Sequence, residues 1–155
     1  MLLKKILLAF TCLAAFNLAR AQEVKYTAPK NISPEEGKNL NNKEKEVMVN
    51  FRWTPVLPRP KEDVIYKVRI LEILPGQSKP QALVNKPIAV REVKNVTETT
   101  FKLAPRCNNC EWVWNVEAVI TEKGLPKSLG KSEATQFALD GKANSERLGK
   151  RNNGL

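Results

Sequence analysis

An all-β fold, with two facing layers closed over an aromatic core, is what this sequence predicts, and three observations lead there. Residues 111–121 read E-W-V-W-N-V-E-A-V-I-T. They alternate with period two: Trp112, Trp114, Val116, Ala118 and Ile120 take one side, Val113, Asn115, Glu117, Val119 and Thr121 the other. Aromatic and β-branched residues fit a pleated surface, so this is a strand, and burying its two indoles requires a second layer. Short apolar runs then recur between Pro, Gly and Asn turn signals, the pattern of a sandwich or barrel. Finally, after the first segment the sequence shows no amphipathic helical period and no repeat.

The first 21 residues read as a signal peptide rather than as part of the fold. Lys4 and Lys5 form a basic start, residues 6–16 are an apolar run too short to span a bilayer, and Ala19-Arg20-Ala21 offers a cleavage site before Gln22. Cys12 hints at a lipoprotein signal, but Phe10 is a bulky residue for that recognition. The chain is therefore expected to be exported: periplasmic, on the cell surface or secreted. Cleavage would leave 134 of the 155 residues, enough for one domain with a core that needs no metal. Without Lys4, Lys5 and Arg20, 23 basic residues face 16 acids, a net charge of +7. Scattered lysines of this kind suit a solvated surface or contact with anionic surfaces, and nucleic acid is not an expected partner outside the cytoplasm.

Residues 22–31 are expected to be an extended lead-in, residues 32–139 the domain and residues 140–155 a basic, disordered tail. Pro29 and Pro34 bracket Asn31-Ile32-Ser33, which suits a sheet edge. Residues 47–53 form a strand with Val47, Val49, Phe51 and Trp53 on one face, stopped by Pro55, Pro58 and Pro60. Residues 64–73 form a long strand with Tyr66, Val68 and Ile70 inward and Lys67 and Arg69 outward, turned by Pro75-Gly76. Residues 81–84, between Pro80 and Pro87, read as a short edge strand, and residues 88–93 as its extension or a separate strand. Residues 99–103 place Phe101 and Leu103 inward. Gly124, Pro126 and Gly130 mark a hairpin loop, and residues 133–139 form the closing strand with Phe137 buried. The predicted core is thus Phe51, Trp53, Tyr66, Val68, Ile70, Phe101, Leu103, Trp114, Val116, Ala118 and Phe137, while Trp112, near the start of its strand, is expected to be partly exposed.

These residues resemble a fibronectin type III domain. Trp53, Tyr66-Lys67-Val68, the segment from Trp112 to Ala118 and Gly130-Lys131-Ser132-Glu133 stand in the order of that family's motifs. F-R-W-T-P-V, G-Q-S-K-P-Q-A-L-V-N-K-P, W-V-W-N-V-E-A and G-K-S-E-A-T-Q-F are similar to a divergent version found in exported proteins of Bacteroidetes-type bacteria. The resemblance covers residues 32–139 and implies an immunoglobulin-like, seven-stranded antiparallel sandwich. The family usually has tyrosine at the Trp112 position, tying a corner of the sandwich to backbone. Trp112 cannot reproduce that bond, and a Cys107–Cys110 disulfide is the expected substitute.

Chemistry is sparsely signposted. The chain has no histidine, which removes Ser-His-Asp and Cys-His catalysis and histidine metal sites. Cys107 and Cys110, an even pair in an oxidising compartment, are expected to form a disulfide. As a redox pair they would sit at a helix start, and as a zinc site they would need two further ligands. Gly130-Lys131-Ser132 looks like the end of a phosphate loop, but five residues separate it from Gly124 and Pro126 lies among them. Glu35-Glu36 and Glu62-Asp63 read as solvated loop charges rather than a general acid/base pair. Asn95-Val96-Thr97 is a glycosylation acceptor only in a eukaryotic host. No catalysis, cofactor or metal is expected. The function expected is that of a non-catalytic binding or spacer module with a protein or glycan partner. The alternatives are a membrane-surface adaptor using Lys142, Arg147, Lys150 and Arg151, and a disulfide-exchange protein.

Overall fold

Alternating apolar and polar residues, interrupted by proline and glycine, build a β-sandwich. The computed structural model describes residues 24–41, 46–104 and 110–140. Among the described residues the strands are β1 (Asn31–Ser33), β2 (Lys38–Asn41), β3 (Val47–Trp53), β4 (Ile65–Ile73), β5 (Ala89–Lys94), β6 (Glu98–Leu103), β7 (Cys110–Glu122), β8 (Leu125–Lys131) and β9 (Thr135–Asp140). One short helix, α1 (Lys79–Ala82), lies between β4 and β5. A three-stranded sheet of order β1-β3-β6 faces a six-stranded sheet of order β2-β9-β7-β4-β5, with β8 also on β7. The tryptophan strand β7 is the spine of the larger sheet. One of its edges pairs with β4 over residues 111–119; the other is shared between β9, along residues 110–114, and β8, along residues 117–122.

The core between the sheets is aromatic at its centre. Phe51 is fully buried and meets Trp114, Phe101 and Phe137 edge to face, with centroids 5.0, 5.4 and 5.8 Å away. Trp53 lies 5.6 Å from Tyr66, whose hydroxyl accepts a hydrogen bond from the Val56 N–H. Val68, Ile70, Leu103, Val116 and Ala118 belong to the same buried cluster. Truncating any one of the large rings costs about 3–5 kcal/mol in comparable cores, so this cluster carries much of the stability.

The outer face of the larger sheet is split in two. At one end Leu71, Ile73 and Val113 form a second buried cluster under Ala82 of α1. At the other, residues in register across four strands alternate in charge: Glu92, Lys67, Glu117 and Lys131. Lys67 and Glu92 are 3.2 Å apart. Opposite charges on directly facing strand positions are mildly favourable and keep this face wet. At the side of the sandwich Arg91 on β5 donates to the Thr100 carbonyl on β6 and lies 4.7 Å over the Phe101 ring. The free edge of β6 is thereby capped at that carbonyl.

Several expectations are corrected. Residues 81–84 are not an edge strand: the Gln81 carboxamide accepts from the Ser78 N–H at 2.8 Å, and α1 forms there because its Ala82 covers Leu71 and Val113. The stretch after Gly124 is not a loop but strand β8, Leu125–Lys131. Its turn is only Lys123-Gly124, both with positive φ (52° and 80°), the conformation that closes a tight hairpin. Asn31–Ser33 is the edge strand β1 that its flanking prolines suggest, but the next segment holds β2, which pairs in parallel with β9. The sheet containing that pair is therefore mixed rather than purely antiparallel, and the strands exceed seven. Trp112 is 2% exposed, not partly open, because β9 and Phe137 close over the start of β7. The signal peptide, the tail and Cys107 lie outside the described residues.

Candidate functional site

The segment before β1 is a strap laid across one end of the sandwich. Thr27 bonds Leu57 three times: its N–H donates to the Leu57 carbonyl at 2.7 Å, its hydroxyl donates to the same carbonyl, and it accepts from the Leu57 N–H. Farther on, Lys30 and Thr54 exchange two bonds of 2.9 Å, one through the Thr54 hydroxyl. Asn31 then crosses from the smaller sheet to the larger one. Its Nδ2 donates to Thr135 Oγ1 at 2.8 Å, the Glu133 carbonyl at 3.1 Å and the Trp114 carbonyl at 3.3 Å. Beneath the strap Gly130, at φ +145°, has no side chain because Ala28 occupies the space; a Cβ there would stand 2.9 Å from the Ala28 Cβ.

Between this strap and the end of β8 lies a cleft of about 750 Å³, within the size range of small-ligand sites. The half-buried ring of Tyr26 lines it with Ala28 and Pro29, and Thr135 closes one wall. Its charged groups are Lys25, Lys30 and Lys131 against the single carboxylate of Glu133. Burial and the nearby Arg69 guanidinium make the Lys131 ammonium less basic than usual, with Glu117 opposing them. The cleft therefore holds more positive charge than its own acids neutralise. Such an arrangement can bind and orient an anion.

Other positions singled out by the sequence are structural. Glu36 accepts from Lys79 Nζ at 2.7 Å and from the Gln136 N–H at 2.9 Å. Asp63 accepts from Asn95 Nδ2 and pairs with Lys94 at 2.6 Å, while Asn95 Oδ1 accepts from the Val64 N–H. These two acids sit at separate corners, each engaged by its own cation, and do not converge. Ser132 Oγ accepts from the Val116 N–H at 2.9 Å while its own N–H donates to the Val116 carbonyl at 2.8 Å, one residue past the end of β8; its neighbours Gly130 and Lys131 belong to β8, and among the described residues no helix follows. Cys110 is 1% exposed and is not a free thiol. A sulfur so deeply placed is closed to thiolate attack. The four tail cations lie outside the described residues. Among the described residues no three Cys, Asp or Glu side chains come together as a metal site.

Sequence reasoning missed the cleft because Lys131 lies about a hundred positions from Lys25 and Lys30 in the chain. The one local signal was Pro29 beside small Ala28, a composition suited to close packing. Compared with family models and with curated proteins, the chain matches none.

Proposed function

We propose that this chain is an exported, non-catalytic binding module of fibronectin type III kind, and that it engages its partner at the cleft under the strap. One observation carries the reading. A concave, cation-rich surface is held on a rigid β scaffold by an asparagine bonded to three separate oxygens. Binding sites are commonly placed this way, on connecting segments fixed by a sandwich. The facing of β1-β3-β6 against β4, β5 and β7 supports the family assignment, and the buried start of β7 suits a Cys107–Cys110 link at that corner.

Lysine footprinting tests the proposal. In extract from the native envelope, acetylation of Lys25, Lys30 and Lys131 should slow relative to buffer, while Lys67 and Lys102, elsewhere on the surface, should react unchanged. Equal reactivity of all five in both conditions would refute it.

A further inference from the structure

We infer that the cleft takes a carboxylate-bearing saccharide, a uronate-containing oligosaccharide chain. This rests on the proposed function and names its ligand class. Three observations converge on it. Lys25, Lys30 and Lys131 line the cleft, and Glu133 is the one carboxylate among its lining residues. Lys131 is made less basic by burial and by Arg69, against the favourable charge of Glu117 opposite it, and an incoming carboxylate adds a further anionic partner. In the same cleft the half-buried Tyr26 ring offers an aromatic surface of the kind on which the flat face of a sugar ring packs.

The hydrogen-bonding inventory also favours a sugar. Thr135 Oγ1 accepts from Asn31, which leaves its own hydroxyl proton to donate, and Glu133 accepts. A uronate offers both counterparts on each ring, a carboxylate for ammonium and hydroxyls for Glu133 and Thr135. An acidic peptide would instead present an N–H and a C=O at every residue. The strap backbone is poorly placed to pair with it as a strand, because the Thr27 N–H is bonded to Leu57 and both main-chain groups of Lys30 are bonded to Thr54.

The experiment is calorimetric titration of the folded chain with hexagalacturonate, maltohexaose and polyglutamate of matching charge, at low and physiological salt. The expected result is saturable binding of hexagalacturonate, weakened by salt, with maltohexaose not bound and polyglutamate bound more weakly. Lys131→Gln should weaken hexagalacturonate roughly twofold to fivefold, the range of an exposed ion pair. Lys102→Gln should leave it unchanged. Tyr26→Leu, checked for an intact melt, should weaken it by up to about tenfold without altering the salt dependence. Equal affinity for polyglutamate with no effect of Tyr26→Leu would overturn the saccharide assignment, as would binding of maltohexaose or no saturable binding at all. If these titrations fail while footprinting still protects the cleft lysines, the ligand class falls and the binding module stands; if both fail, both fall.

Discussion

Asn31→Ala isolates the bond set that fixes the strap. The carboxamide Nδ2 has two protons and meets three oxygens at 2.8, 3.1 and 3.3 Å, so two hydrogen bonds are made, one of them shared. At about 1 kcal/mol net each, with carbonyls left short of a donor, the loss comes to about 2–3 kcal/mol. That corresponds to a fall in melting temperature of roughly 8–12 °C for a domain of this size. The Oδ1 atom is buried without a bond, so its removal returns a little and keeps the total near the lower end. Asn31→Asp separates hydrogen bonding from packing. A carboxylate there lies against the Glu133 and Trp114 carbonyls, which raise its folded pKa above the usual value of about 3.9, opposed in part by the Thr135 hydroxyl, which can turn to donate, and by the cleft lysines. A raised acid leaves the variant least penalised below about pH 4, with the penalty growing towards neutrality at a slope approaching about 1.4 kcal/mol per pH unit. Urea unfolding of the wild type and both variants at pH 4 and pH 7, taken as differences from wild type, measures this. A loss under about 0.5 kcal/mol for Asn31→Ala, or a pH-independent difference for Asn31→Asp, would refute the reasoning.

Four further outcomes are expected. Gly130→Ala should destabilise by about 1–3 kcal/mol, through its positive φ and the 2.9 Å approach to Ala28, and adding Ala28→Gly should recover part of that loss in thermal melts. Reduction, or replacement of Cys107 and Cys110 by serine, should lower the melting temperature by several degrees, modestly because so short a loop gives little entropy; an unchanged melt removes the disulfide from the account. Burial raises the Glu36 pKa, but the hydrogen bonds from Lys79 and the Gln136 N–H outweigh it and leave it below the ordinary value. Its contribution is present above the unfolded pKa near 4.3 and is lost as pH falls through the folded one; Glu36→Gln should flatten acid unfolding by about 0.5 kcal/mol or less, since the pair is exposed and screened. Arg91→Ala should speed amide exchange in β6 while Arg91→Lys, which keeps the charge but not the planar stack on Phe101, should restore only part of the protection.

Legibility in this sequence followed burial of one face. β7 was readable because Trp112, Trp114, Val116, Ala118 and Ile120 all turn to one side, and β3 because Val47, Val49, Phe51 and Trp53 do the same. β8 was not, since only Leu129 of its seven residues is buried and its turn depends on Lys123 at φ 52°, a conformation lysine does not advertise. The helix had a signal that the edge-strand reading passed over: Ser78 and Gln81 stand at capping-box spacing, beside the Pro80 and Pro87 that suggested an edge. The parallel pairing of β2 with β9 had none, because K-N-L-N carries one apolar side chain and its partner lies about a hundred residues away.

The same distinction separates fold from site. The sandwich is held by large apolar side chains whose pattern is written locally, so it survives as an inference from short windows of sequence. The cleft is held by small sets of polar bonds between distant segments: Thr27 to Leu57, Lys30 to Thr54, and Asn31 to Thr135. Each bond adds only about 1 kcal/mol, which makes the strap easier to open than the core beneath it. A ligand gripped by Lys25, Lys30 and Lys131 bridges the strap to β8, and that link between otherwise weakly joined elements stabilises the closed arrangement by its own binding free energy.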